Sequence, residues 1–397
     1  MNRMANSHTR LWLMMVSMAT ATISGHDLAA SSQVRSDSAG IEIVEYADGS
    51  TAPGVWRLSE EPLVSIGVLD GDEPYIFSLI GDIHVLADGS VVAEDFSGRE
   101  IRVFDRAGMF VNRIGRRGEG PGEFRSIRQT RVSGDTVQVW DGALDRLSTF
   151  RLSGEFLGSQ KLPQFQSIAS SFRGFFADGS ILGAMMTSER PAGAGIVKTQ
   201  EAVVRWSPMD PTRFDTITTI ELPGLTYRDE DGVTRPIEFS PEPNPGRVAG
   251  DDAVYIITGE TVEYRAYDLM GRLTRIVRML ESPQPIGSRF LDAFKADRAK
   301  RVPSRAAVYE AMPYPERFPM LDRIVLDRVE GNIWVRRYRP TSGPHEWHVF
   351  DPQGSWVSSI EIPDQLEVRA VSGDVLAGRW VGEYDVQSIR LYQLVRQ

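Results

Sequence analysis

The side chains able to do chemistry are few and unevenly distributed. The chain contains no cysteine, which excludes thiol nucleophiles, thiolate metal sites and disulfides. Beyond the N-terminal region histidine occurs only at His84, His345 and His348. The run His345-Glu-Trp-His348 lacks the spacing of a helical zinc motif. On a strand its two imidazoles would face opposite sides of the sheet. A hard cation needs about six oxygens, and no converging acid set emerges from the sequence; Asp95 and Asp141 read as turn residues that bond their own loop backbone. The glycine-rich stretch Gly115 to Gly122 could cradle a phosphate only before a helix or nest, but Pro121 and a strand follow, so it reads as a turn between repeats. No Ser-His-Asp order and no dinucleotide fingerprint is present. What remains is arginine. Lysine appears only at Lys161, Lys198, Lys295 and Lys300, so nearly all positive charge is guanidinium, the planar group suited to carboxylate, sulfate or phosphate. Arg128, Arg173, Arg247, Arg323 and Arg369 each lie shortly before a turn, and His84 holds a similar position.

The elements that position these residues are repeats. The stretch from Ala87 to Glu123 recurs after a shift of 46 residues, which places Asp95 on Asp141, Ile101 on Leu147, Phe104 on Phe150, Gly108 on Gly154 and Phe110 on Phe156. Tyr267, Asp268, Gly271 and Leu273, and again Phe350, Asp351, Gly354 and Trp356, repeat the spacing of Phe104, Asp105, Gly108 and Phe110. Apolar alternation at period two between Gly/Asp turns marks a four-stranded antiparallel meander. One meander cannot bury both faces; a ring of them can, and it leaves no long open edge. The expected fold is therefore all-β: a six-bladed β-propeller of four-stranded antiparallel blades. The blades run from about Ser78, Ile127, Ile168, Arg247, Asp322 and Glu367. The last has only three strands of its own, and a strand within Val55 to Gly67 is expected to pair with Ser388 to Leu394 and close the ring. The segment from Ser188 to Thr199 reads as a surface loop, and the proline-rich stretch from Pro223 to Pro245 as mostly irregular. Ser288 is expected to cap a helix through Lys300, and Ser304 a second helix to Met312. This small helical insertion near 288–312 reads as decoration on a blade edge or as a lid over one face.

Arg3 and Arg10 precede an apolar run from Leu11 to Ala19 and then small residues, the pattern of a secretory signal. The expected organisation is a signal peptide at 1–30, a polar linker at 31–40 and the propeller at 41–397, with no membrane span in the mature chain. A formal net charge of −10 argues against nucleic-acid binding.

These residues resemble a known family, the six-bladed propellers related to NHL repeats. Asp141-Gly-Ala-Leu-Asp145-Arg146-Leu147 resembles the NHL loop; in the first blade Gly98-Arg99-Glu100-Ile101 places its arginine one residue early. The segment Gly115 to Phe124 is similar to an interblade signature of exported bacterial propellers. The resemblance implies an exported, periplasmic or extracellular protein, and a monomer is expected. Three roles stay open: a binding module for a protein, peptide or glycan; an axial hydrolase or lyase of the calcium-dependent lactonase type; and an envelope scaffold. The binding module is the favoured reading, with no cofactor and no metal. Its site is expected from Arg128, Arg173, Arg247, Arg323, Arg369 and His84, on the face where the inner strands begin.

Overall fold

Each repeat forms the expected meander because its turns are built from residues that can make them. In three repeats an aspartate Oδ1 accepts two turn N–H groups: Asp105 from Ala107 and Met109, Asp268 from Met270 and Arg272, Asp351 from Gln353 and Ser355. The glycine three residues on has φ near +80° at Gly108, Gly271 and Gly354, a left-handed conformation that L side chains disfavour. A second constraint acts at the same glycines. A Cβ on Gly271 would stand 2.2 Å from the Ile217 carbonyl oxygen of the preceding blade, and one on Gly354 would stand 2.7 Å from Val277 Cγ2. The hairpin tip thus touches its neighbour through bare backbone.

The computed structural model describes residues 33–161, 174–186, 195–207, 210, 214–228, 233–241 and 246–396. Among the described residues six blade sheets form the ring, and Arg116–Arg117 and Glu123–Phe124 add a two-stranded parallel sheet between blades 1 and 2. Blade 1 consists of Ile80–Val85, Val91–Asp95, Glu100–Phe104 and Phe110–Ile114. Blade 2 consists of Ile127–Ser133, Thr136–Asp141, Arg146–Arg151 and Phe156–Lys161. Blade 3 starts at Gly174–Phe175 and Ile181–Met186, blade 4 runs from Arg247–Ala249 to Leu273–Met279, and blade 5 from Leu321–Leu326 to Trp356–Ile362. Blade 6 contributes Leu366–Ser372, Val375–Val381 and Gln387–Val395. Each inner strand touches the next, and that of blade 6 touches that of blade 1, so the ring is closed.

The core is divided among the interfaces. One buried cluster lies between each pair of neighbouring blades, for example Trp140, Leu147, Phe175, Ile181 and Trp206 between blades 2 and 3. The repeated aromatics Phe104, Phe150, Tyr267 and Phe350 are all buried, each at a register shift between the third and fourth strands of its blade.

Several boundaries differ from the sequence reading. Residues 33–40, read as linker, form strand Gln33–Ser38 and a turn into Ile41–Tyr46. The latter lies parallel to the outer strand of blade 4, which becomes six-stranded instead of four-stranded. Blade 3 has five strands. Its third begins at Gly195, inside the stretch read as loop, and its fourth passes Pro223 to Arg228 before pairing with Thr234–Pro236. Helix α1 spans Ser288–Arg301, and Gly287 rather than Ser288 holds the cap position, without a side-chain cap bond. A 3-10 turn Pro303–Arg305 then leads to helix α2, Ala306–Ala311. Residues 1–30, expected to be a signal peptide, lie outside the described residues.

The closing strand is where the missing fourth strand of blade 6 required it. Val64–Ile66 pairs antiparallel with Ile389–Leu391, and Arg57–Leu58 with Leu394–Val395. Between its two strand contacts the N-terminal segment also crosses blade 5. Trp356 N donates to Tyr46 Oη (2.6 Å), Trp56 N to the Ser359 carbonyl (3.0 Å), and Trp56 is buried against Trp334.

Two outcomes follow. A chain starting at Asp70 exposes the edge of Gln387–Val395 and should unfold without cooperativity or aggregate; melting like the longer chain would refute strand closure. Phe150→Ala, in the cluster between blades 1 and 2, should cost about 3–5 kcal/mol in denaturant unfolding, and a loss below about 1 kcal/mol would contradict its wedge position.

Candidate functional site in the axial channel

The inner strands of all six blades line a central cavity of about 720 Å³. Along the inner strands half-buried side chains such as Arg323 and Glu367 reach this cavity, while the buried ones beside them, such as Ile324 and Val368, pack between the blades. Among the described residues, the charged side chains it receives are Arg131, Arg247, Arg323, Arg328 and Arg369 against Asp82, Asp251 and Glu367, with His84 among them. The cavity wall is therefore richer in cations than in acids, in a chain whose formal net charge is −10.

At the end where the inner strands begin, the arginines are tied to acids. Glu367 accepts from Arg323 Nη2 (2.7 Å) and Arg369 Nη2 (3.1 Å), and also from Arg379. Arg323 Nη1 donates to the Val368 carbonyl at 2.9 Å, which joins blades 5 and 6. Although burial opposes it, the surrounding Arg369, Arg323 and Arg379 guanidiniums hold the Glu367 carboxyl down at about 2. Arg247 Nε lies 2.6 Å from Glu201 Oε1, both side chains being buried. Asp82 Oδ2 accepts from Thr130 N (3.1 Å) and Gln129 Nε2 (3.2 Å) across the gap between blades 1 and 2.

Beneath Asp82 sits a carboxyl that sequence reasoning missed. Glu94, on the second strand of blade 1, is 3% exposed. Its Oε2 accepts from Asp82 N (3.2 Å), while Oε1 has no hydrogen-bond partner. The room for it is made by Gly81, where a Cβ would stand 2.4 Å from Oε2, at the register shift between Ile80 and Ile83. Burial, reinforced by the Asp82 charge, pushes Glu94 up to about 8.

Of the six residues expected at the site, His84, Arg247, Arg323 and Arg369 line the cavity. Arg128 does not: it is exposed, beside the register shift between Ile127 and Gln129, and its Cγ would meet a Cβ on Gly142 at 2.7 Å. Arg173 lies outside the described residues. Arg131 and Arg328 were missed, although the alternation from Gln129 onward would have pointed to Arg131. None of Ser288–Ala311 lines the cavity. Phe290 and Phe294 of α1 pack instead on Phe239, at 5.5 and 4.6 Å between ring centroids.

Ring closure, six blades and an axial cavity define the class, a six-bladed β-propeller. A family model described as a 6-bladed beta-propeller matches residues 69–174. None of the curated proteins compared with the chain matches it. Solved structures similar to it include a Bacteroides fragilis protein whose name presumes export. It has 14% identity and a TM-score of 0.48, over 89% of this chain and 99% of that one. A Bacteroides vulgatus protein shows 11% identity and a TM-score of 0.44, over 86% of this chain and 99% of that one. Virginiamycin B lyase from Staphylococcus aureus shows 11% identity and a TM-score of 0.43, over 86% of this chain and 100% of that one. No helix among the described residues is long and apolar enough to cross a membrane.

The Glu94 environment has a measurable consequence. Its carboxyl binds a proton in the fold up to about pH 8 but loses it near 4.5 when unfolded. The contribution to stability is thus fully present below about 4.5 and is lost between there and about 8, at roughly 1.4 kcal/mol per pH unit. Glu94→Gln should therefore gain on the wild type steadily from pH 5 to pH 8 in denaturant unfolding, with a constant gap above. A gap that does not change with pH would contradict a protonated Glu94.

Proposed function

We propose that this chain is an exported binding module that takes an anionic group of a protein, peptide or glycan into its axial channel. The observation that carries this reading is the excess of guanidinium over carboxylate on the cavity wall, in an otherwise acidic chain. An acidic surface repels anions in general, so a cationic concavity within it discriminates by shape as well as charge. Guanidinium supplies a rigid fork for carboxylate, sulfate or phosphate. The cluster of Arg323, Arg369 and Arg379 on one acid leaves positive charge uncompensated there. The size of the cavity falls within the range of sites for small ligands, so a folded partner would insert a side chain or chain end rather than a surface. Export is supported by the basic and then apolar N-terminal pattern.

The test is calorimetry with an acidic oligosaccharide, an acidic peptide and their neutral counterparts, at low and physiological salt. Salt-sensitive binding of at least one anionic member is expected. Arg369→Gln should weaken it about tenfold, because Arg323 and Arg379 still hold Glu367 in place while the channel loses a cation. Arg128→Gln, outside the cavity, should bind like the wild type. If the wild type binds no anion at low salt, or if neither Arg369→Gln nor Arg328→Gln binds differently from Arg128→Gln, the reading fails.

A further inference from the structure

The two mouths of the channel differ. Where the inner strands begin, the cations are neutralised in part by Glu367 and Glu201. Where they end, two guanidiniums face the opening with less compensation. Arg328 follows Asp327 at the end of the inner strand of blade 5. Asp327 is buried, and its Oδ1 accepts from Val329 N (2.9 Å) and from Gly373 N of blade 6 (3.0 Å). The Arg328 backbone is thereby pinned between two blades. Its side chain is exposed to water, lines the cavity, and makes no hydrogen bond or ion pair with a described residue.

Arg131 comes to the same mouth from blade 2. Its Nη1 donates to Gln138 Oε1 (3.0 Å) and its Nη2 to the Ala177 carbonyl (2.5 Å), which fixes the plane of the guanidinium and leaves other N–H donors over. Although Arg328 still reaches water, the protein crowded around it in the mouth and the Arg131 charge hold it below the usual arginine range, against the opposing pull of Asp251. His84 is held below its ordinary value mainly by burial, and by Arg328, with Asp82 opposing. Its Nε2 is 2.7 Å from Thr130 Oγ1. Asp251 is the acid whose charge bears on Arg328 here; the nearby Asp178 is already engaged by Arg205 and by Ser180. Two like charges brought into one concavity repel each other and are relieved by an anion between them. The hairpins that frame this mouth, including 86–90, 133–136, 176–180, 250–253, 327–332 and 372–375, all belong to the described residues.

We propose that the channel mouth where the inner strands end is an oxyanion site. It is formed by the Arg328 and Arg131 guanidiniums beside His84, and it takes the carboxylate, sulfate or phosphate head of a small ligand or chain end. The proposal rests on the anion-binding reading of the channel and deepens it. It places the head group at the opposite mouth from the one the sequence favoured. It also makes Arg328 the principal contact, because the other cavity arginines already have acids or carbonyls to bond.

The experiment titrates wild type, Arg328→Gln, Arg369→Gln and Asp251→Asn with glucuronate, inorganic sulfate and inorganic phosphate by calorimetry. The three probes separate the carboxylate, sulfate and phosphate sources of the shared chemistry. Arg328→Gln should melt with the wild type, since its side chain has no described partner, and should bind the preferred probe at least about tenfold more weakly. Asp251→Asn removes the competing acid and should bind it a few-fold more tightly, a gain that a folding defect would not produce. If Arg369→Gln loses binding while Arg328→Gln and Asp251→Asn match the wild type, the mouth assignment is overturned and the channel reading stands. If the wild type binds none of the three probes at low salt, the mouth site is overturned; whether the channel reading falls with it is then decided by the oligosaccharide and peptide titrations above.

Discussion

The structure depends on removing a sheet edge. Six meanders in a ring bury their faces against one another, but a ring built from one chain must meet itself somewhere, and a last blade of three strands would present a row of unpaired N–H and C=O groups. Val64–Ile66 supplies the partner for Ile389–Leu391. The segment before it runs along the outer edges of blades 4, 5 and 6 in turn, through Ile41–Tyr46, Trp56 and Arg57–Leu58. The two ends of the chain are thus committed to one junction, and residues far apart in sequence become neighbours only once the ring is complete. The buried tryptophans Trp56, Trp334 and Trp347 sit beside this path, so closure adds apolar burial to the backbone bonds.

A second constraint is the spacing between blades. Side chains of ordinary size at the hairpin tips would hold neighbouring blades apart. Bare backbone at Gly271 and Gly354, with Tyr267 and Phe350 wedged four residues earlier, sets a close approach instead. The same residue type thus satisfies a left-handed turn and a van der Waals contact. This is the physical content of the repeat: what recurs is the geometry of the interface, while the residues on the channel wall are free to differ from blade to blade.

That freedom is used for charge. The wall concentrates arginine on the axis, and the manner in which each is held differs. Glu367 gathers Arg323, Arg369 and Arg379, which organises one end of the channel and holds the Glu367 carboxyl near 2. Glu94, a few residues from the axis and without a cation in hydrogen-bond contact, is driven the other way, to about 8. A buried carboxyl and a half-buried one in the same region are thus shifted in opposite directions, and the difference lies in whether a guanidinium reaches them. Arg328 has no such acid in hydrogen-bond contact among the described residues.

The blade count, the hairpin turns, the wedge aromatics and the need for a closing strand were legible in the sequence. Each of these is local or periodic, and a glycine at a fixed offset from an aromatic needs no distant residue to be recognised. Four of the six expected site residues reached the cavity for a related reason, since inner strands can be placed from the repeat register. Arg128 missed it because a one-residue register shift at Ile127 reverses which side chains face inward, and an irregularity of that kind leaves no periodic mark. The parallel addition of Ile41–Tyr46 to blade 4 was hidden because pairing across more than two hundred residues is set by which edge is free. Glu94 was hidden because its partner is an absence, the missing side chain of Gly81. The partition of arginines between acids and open channel was likewise beyond reach, because a guanidinium on an inner strand is recognised from sequence, whereas its neighbour on the next blade exists only after the ring has closed.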